Sequence, residues 1–423
     1  MVKGLRVLVI GSGGREHALA LALRRDPAVT QLHVAPGNPG TADIATNHAV
    51  NPVDGGSVAG LAADLDVNLV VIGPEAPLVA GVADAVRNRG IACFGPSAAG
   101  ARVEGSKAFA KDVMAAAGVP TASSRVCSSP GEIDAALDKF GSPYVVKDDG
   151  LAAGKGVLVT TDRVAALEHG VRCRQVVVEE YLDGPEVSLF GITDGETVRP
   201  LQPAQDFKRV GEDDTGPNTG GMGAYSPLPW APGDLVEDVR RLVLQPTIDE
   251  LAARGTPFVG LLYAGLALTG SGIRVVEFNA RFGDPETQPL LTLLHTPLGG
   301  LLYAAATGEL AAQPELEWSE GAAVGVVLAA AGYPGSPETG GVITSLDAAA
   351  RYGSMIIHAG TALDPQGQLI SSGGRVLTVV GTGNDLDAAR RRAYDSIAKI
   401  NLPGSFYRTD IALAASQLAV RWS

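Results

Sequence analysis

The chain is poor in cysteine, histidine and positive charge, and nowhere is it apolar for long. Three cysteines, Cys93, Cys127 and Cys173, stand far apart without C-x-x-C spacing, which excludes a disulfide scaffold or thiolate zinc site and fits a reducing cytoplasm. The six histidines are scattered and form neither a metal-binding pair nor a Ser-His-Asp arrangement. With 33 bases against 46 acids, a net charge of −13, a broad basic surface for nucleic acid is missing. Backbone amides and a few local cations can still bind a small anion. No apolar run reaches the roughly 20 residues of a membrane span. The early run VLVIG breaks at a glycine turn and a charged triplet, unlike a signal peptide. A soluble, cytoplasmic protein with neither nucleic-acid nor membrane partner is expected.

What is present is a long chain of globular composition. Its 423 residues, at about 150 per domain, suggest three domains. Over residues 1–105, the runs RVLVIG, LHVAPG, NLVVIGPE and IACFGPS alternate with Ala/Leu-rich amphipathic segments, the pattern of a doubly wound parallel sheet. The loops GSGGREH, PGNPGT, GPEAPL and GPSAAG follow these strands and should meet in one crevice, because ligands gather outside the carboxyl ends of such strands.

A capped helix, SKAFAKDVMAAAG, opens a second region at 106–308. Within it, 119–187 reads as a small α+β lobe with strands YVVK, GVLVT and QVVVEE. A helix, DLVEDVRRLVLQPTIDELAARG, and strands FVGLLYAGLAL and IRVVEFN form its larger body. A C-terminal α+β domain at 320–423 starts from AAVGVVLAAAG and closes with a helix around DLDAARRRAYDSIAKI.

Several stretches carry chemistry. In GSGGREHALA, Gly11 and Gly13 match a dinucleotide fingerprint, but Glu16 stands where its third glycine belongs. In DDGLAAGKGV the glycines allow a phosphate chain to approach and Lys155 adds a point charge, although a hairpin turn with a solvated lysine has the same pattern. Lys147, ending YVVK, is placed for an α- or β-phosphate, and Glu186 for ribose hydroxyls. Glu179 and Glu180, taken singly, read as solvated charges.

In VVEFNARFGDPETQP, Glu277 and Asn279 share one strand face, so both oxygens can reach one Mg²⁺. Arg281 continues that face and could offset charge on a transferring phosphoryl group, with a buried structural ion pair as the alternative. The segment QDFKRVGEDDTGPNTGGMGAYSP, 205–227, reads as a long polar loop. Its Asp206, Asp214, Asn218 and Thr219 could grip a zwitterion or sugar.

Taken in order with APGNPGTA, VIGPEAPL, FGPSAAGARVEGSKAFAKD, EEYLDGPEVS, GLLYAGL and SSGGRVL, these motifs resemble, almost end to end, the glycinamide ribonucleotide synthetase family of the ATP-grasp superfamily. The resemblance implies a ligase of purine biosynthesis that joins glycine to 5-phosphoribosylamine using ATP and Mg²⁺ or Mn²⁺, through an acyl phosphate. A monomer is expected. The resemblance further implies that Lys107, Lys147, Gly154, Gly156, Glu179, Glu180, Leu182 and Glu186 bind ATP, that Glu277 and Asn279 hold the metal, and that Arg281 and Lys155 act in catalysis. By the same resemblance, Gly13, Gly14, Arg15, Glu16, Asn38, Glu75, Gly374 and Arg375 bind substrate, as do Asp206, Lys208, Asp214, Asn218, Thr219, Gly221, Met222 and Asp284.

Three departures stand out: Asp148 where the family often has alanine, Phe207 where histidine is frequent, and a short stretch between Val157 and Glu179. A trimmed lid would admit water to the acyl phosphate. Another ATP-grasp ligase, an NAD-dependent oxidoreductase and a silent nucleotide-binding module remain the rival readings.

Overall fold

A computed structural model describes residues 4–150 and 156–420. The strand Leu5–Gly11 is the centre of a parallel five-stranded sheet, flanked by Val29–Pro36 and Leu69–Ile72, with Thr46–Asn47 and Ala92–Phe94 outside them. Its residues are buried on both faces, as a crossover-covered parallel sheet requires. The helix Gly14–Arg25 starts directly from the end of this central strand.

The helix Lys107–Ala116 is capped by Ser106, whose Oγ accepts from the Phe109 N–H. Beyond it, a lobe of four antiparallel strands runs in the order Ser124–Cys127, Val176–Glu179, Tyr144–Asp148, Val157–Thr160. Helices Pro130–Phe140 and Arg163–Arg172 pack on one face around a separate core that includes Ile133, Leu137, Val146 and Val178. The stretch between Val157 and Glu179, though short, completes this strand-helix-strand unit. Gly184 (φ +139°) marks the crossing from lobe to body, where a Cβ would stand 2.1 Å from the Leu268 carbonyl oxygen.

The body is an antiparallel sheet in the order Val198–Pro200, Glu186–Asp194, Val259–Thr269, Gly272–Asn279. The expected long helix is present from Leu235 to Ala253, but Pro246 follows a π-helical stretch, Arg240–Leu244.

The segment 205–227 differs from the irregular loop expected of it. Gln205–Asp206 and Gly223–Ser226 are strands, and between them Arg209–Gly211 pairs with Thr215–Asn218 as a hairpin. The two outer strands extend the C-terminal sheet, which continues through Ala322–Ala329, Arg375–Gly383 and Met355–His358. Ala224 and Tyr225 are fully buried there, so the short pieces are held by long-range pairing, Ala224 opposite Gly325. One hydrophobic core runs from Leu8 and Ile10 through Leu262 and Phe278 to Val324 and Val379. Among the described residues no helix is long and apolar enough to cross a membrane.

Candidate active site

Two neighbouring sites emerge, joined by buried charges. The first is a cavity of about 420 Å³ where the turn before helix Gly14–Arg25 meets the C-terminal domain. Gly13, Gly14, Asn38, Asp284 and Arg375, all expected from the sequence, line it, and so do Ser12, Tyr333, Thr361 and Ser372. The helix N-terminus supplies backbone amides and positive dipole toward an anion. Asn38 caps the helix Pro39–Ala42 and donates from Nδ2 to Ser12 O at 2.8 Å and His358 O at 3.1 Å, tying the turn to the C-terminal domain.

Arg375 donates to the carbonyls of Gly220 and Asp284 at 2.5 and 2.6 Å and pairs with Asp284 Oδ2 at 3.3 Å. Burial opposes ionisation of Asp284, but Arg375 and Arg15 outweigh it and hold the carboxyl below its ordinary value. Gly374 leaves room for the Tyr333 ring, which a Cβ would approach to 2.3 Å.

Glu16 explains the missing third glycine. Its carboxylate folds back over the turn, accepting from Gly13 N–H at 2.6 Å and Arg15 Nε at 2.7 Å, with 1 % of the residue exposed. A Cβ on Gly73 would stand 2.1 Å from Glu16 Oε1, so this carboxylate fills the space between two strand ends. Glu16 therefore braces the turn from within and presents no free oxygen to a substrate, contrary to the expectation.

From there a ladder of charges crosses the molecule. Arg15 approaches Glu75 at 3.8 Å, Glu75 reaches Arg281 at 3.4 Å, and Arg281 pairs with Glu104 at 3.2 Å. Burial pushes the Glu104 carboxyl up against the pull of Arg281. For Glu75, burial is outweighed by Arg281 and Arg15, and the carboxyl is held down. Arg281 is thus already engaged by two carboxylates and lies 3.4 Å from Asn279 Oδ1.

The second site lies between lobe and body. Lys147 and Glu179, 4 % and 3 % exposed, pair at 2.9 Å, and Lys111 meets the other Glu179 oxygen at 3.3 Å. Glu179 is accordingly a buried bridge and not a solvated charge. A strand bulge at Val276 leaves that residue outside the pairing register, and its carbonyl accepts from Lys147 Nζ at 2.9 Å. Glu180 accepts from Ser123 N–H and pairs with Arg274 at 2.7 Å. Lys107 Nζ donates to Gly150 O at 3.2 Å, Leu182 is half-buried, and the Gly156 carbonyl accepts from Asp148 N–H. Gly154 and Lys155 lie outside the described residues.

Glu186 pairs with Lys208 at 2.6 Å, and Asp206 stands in the same cleft. Loss of water around Asp206 pushes its carboxyl up to about 7, with Glu286, Glu186 and Glu277 adding to the shift and Lys208 opposing it. Glu286, not singled out from the sequence, is 3 % exposed and accepts from Tyr263 Oη at 2.7 Å and Ser188 Oγ at 3.2 Å. Its position inside FGDPE was the available signal. Glu277 and Asn279 keep the shared face expected of them, with Phe278 buried between. Among the described residues no group of three or more His, Cys, Asp or Glu forms a closed cage. One carboxylate and one amide oxygen, both hard donors, suit Mg²⁺, which retains waters and takes phosphate oxygens.

The strand-hairpin segment links the sites. Thr219 N–H and Oγ1 both donate to Lys208 O, while Gly221 N–H donates to Thr219 Oγ1 at 2.9 Å. Asn218 ends the hairpin opposite Arg209. Asp214 points to Arg408 at 2.9 Å. Met222 corrects its expected substrate role: its side chain is wholly inside the core, and its N–H and carbonyl are taken by Phe207 and Val327.

A parallel-sheet domain, a two-part nucleotide cleft and a shared C-terminal sheet define an ATP-grasp protein. The chain belongs to the phosphoribosylglycinamide synthetase family, whose N domain matches residues 5–104, ATP-grasp (A) domain 105–287 and C domain 323–414. It is 63 % identical over 415 residues to the phosphoribosylamine–glycine ligase of Streptomyces coelicolor, covering 97 % of this chain and 100 % of that protein. The Mycobacterium tuberculosis phosphoribosylamine–glycine ligase is 58 % identical over 422 residues, covering 98 % and 99 %. The crystal structure of the Thermotoga maritima phosphoribosylamine–glycine ligase superposes with TM-score 0.85 at 35 % identity, covering 96 % of this chain and 100 % of that one. A biotin carboxylase domain from Hydrogenobacter thermophilus, at 15 % identity and TM-score 0.71 over 96 % of this chain and 92 % of that one, shares the fold.

Proposed function

We propose that this chain is an ATP-dependent ligase that joins glycine to 5-phosphoribosylamine, giving glycinamide ribonucleotide, ADP and phosphate in purine biosynthesis. The observation that carries the reading is the pairing of an anion-suited cavity at a helix N-terminus with a separate acidic cleft, in a chain related end to end to such ligases.

In this reading the phosphate of phosphoribosylamine meets the Gly14 amide with Ser12, while Asp284, a carboxylate, accepts from the sugar or amine end. Lys147 and Lys107 face the ATP phosphates, and Glu186 the ribose. Glycine lies near Lys208 and Thr219, between the two sites. A divalent ion held by Glu277 and Asn279 would draw charge from the phosphates. ATP would phosphorylate the glycine carboxylate, and the amine would then displace phosphate from the acyl phosphate. Arg281, fixed by Glu75 and Glu104, would neutralise charge without having to reorganise. The protein's part is positioning and electrostatics, with no covalent nucleophile.

Turnover with glycine, ATP and freshly made phosphoribosylamine tests the reading. Product is expected from the parent, with a loss of about a hundredfold or more in Glu277→Gln. Undiminished turnover in that variant would remove the metal assignment, and no product from the parent would remove the function.

A further inference from the structure

Among the described residues, the reaction as set out leaves several deeply buried cations unused, and Arg408 is the most buried of them. Arg408, 2 % exposed, lies in the C-terminal tail, far from the nucleotide cleft in sequence. Burial of a guanidinium is costly unless its donors are met. Nε and Nη2 reach the two Asp410 oxygens at 2.7 and 2.6 Å. Its remaining partners belong to the polar hairpin segment. Nη1 donates to Arg209 O at 3.0 Å and Asp214 Oδ1 at 2.9 Å, and the guanidinium lies 5.0 Å from the centre of the Phe207 ring.

Phe207 and Arg209 are the two chain neighbours of Lys208. The grip therefore falls on both sides of the lysine that pairs with Glu186 beside Asp206. The adjoining tail strengthens it: Asp410 Oδ2 accepts from Asp213 N–H at 2.9 Å, and Glu212 accepts from Thr409 N–H at 3.1 Å.

We propose that Arg408 is a positioning residue for Lys208, a clamp from the C-terminal tail that fixes the Lys208 ammonium in the ligase cleft without touching a substrate. Asp214 belongs to this clamp and contacts no substrate. A lysine at 408 would keep the charge but lose the planar fork that serves Asp410, Asp214 and the carbonyl together. The inference rests on the reading that Lys208 meets glycine in the cleft.

The test uses the full chain and steady-state kinetics in each of the three substrates, with a melting curve for every variant. Arg408→Lys is expected to lower kcat/KM for glycine by roughly ten- to a hundredfold, the scale of a misplaced reacting group. KM for phosphoribosylamine should hold at its parental value, and added guanidinium ion should restore turnover to Arg408→Ala. In the double variant Arg408→Lys/Lys208→Ala, the rate should equal that of Lys208→Ala alone. Because Asp214 is 67 % exposed at its side chain, Asp214→Asn remains folded even where Arg408 variants do not. It should show a smaller loss in kcat/KM for glycine. All three KM values rising together, multiplying effects in the double variant, or parental kinetics in Asp214→Asn would each overturn the clamp. Full-speed Lys208→Ala would remove the reading of the cleft and the clamp with it.

Discussion

His17, on the first helix, accepts at Nδ1 a hydrogen bond from the His358 backbone N–H, 2.9 Å away, at the seam between the N-terminal and C-terminal domains. Burial, and then the neighbouring His358, lower its pKa to about 3. The unfolded chain takes up this proton near the ordinary value of 6.5, whereas the folded chain does so only near 3. Between those values the unfolded state binds more protons, so stability falls as pH falls through that window and is unaffected by this group above it. His17→Gln keeps an acceptor that does not titrate. Its melting temperature should fall less steeply than the parent's from pH 6.5 to 4, as calorimetry at a series of pH values can measure. Equal slopes would mean that His17 is not the group responsible.

The glycine turn shows how one side chain sets the use of an element. Glu16 fills the volume that a glycine would leave open and balances Arg15, which is itself 8 % exposed. Glu16→Gly would restore the dinucleotide fingerprint in letters while leaving a buried guanidinium short of a partner. Urea unfolding should show a loss of roughly 3 kcal/mol, the scale for breaking a buried pair by removing one member. NAD should still give no thermal shift. A variant as stable as the parent would contradict the bracing role. Legibility differed from element to element for similar reasons. The four principal strands of the first sheet were readable because three are continuous apolar runs closed by glycine and the fourth, around LHVAPG, closes on a proline and glycine. Glu277 and Asn279 were readable because strand alternation is local. The strands at Gln205 and Gly223 were hidden, since they are two and four residues long and their burial comes from pairing reached through Gly325. Glu104 gave no local sign of Arg281, and Arg408 showed only Asp410 beside it, because Arg281, Asp214 and the Arg209 carbonyl are far away in sequence.

For the whole molecule, the decisive feature is that the C-terminal sheet takes its first two strands from the middle of the chain. Tyr225 and Ala224 are buried by that union, and the largest core spans all three regions except the lobe, which keeps its own. A chain ended at residue 320 would leave the edge of Gly223–Ser226 without Ala322–Ala329 and expose apolar surface on both sides. It should be insoluble or bind a hydrophobic dye in the way a loosened core does. A soluble, cooperatively melting product would argue for an independent body. For those who build chimeras, the boundary that family matching draws near residue 323 is a poor place to splice. A transplanted tail would meet a foreign edge strand and a foreign hairpin, so residues 205–226 must travel with it as one exchangeable cassette.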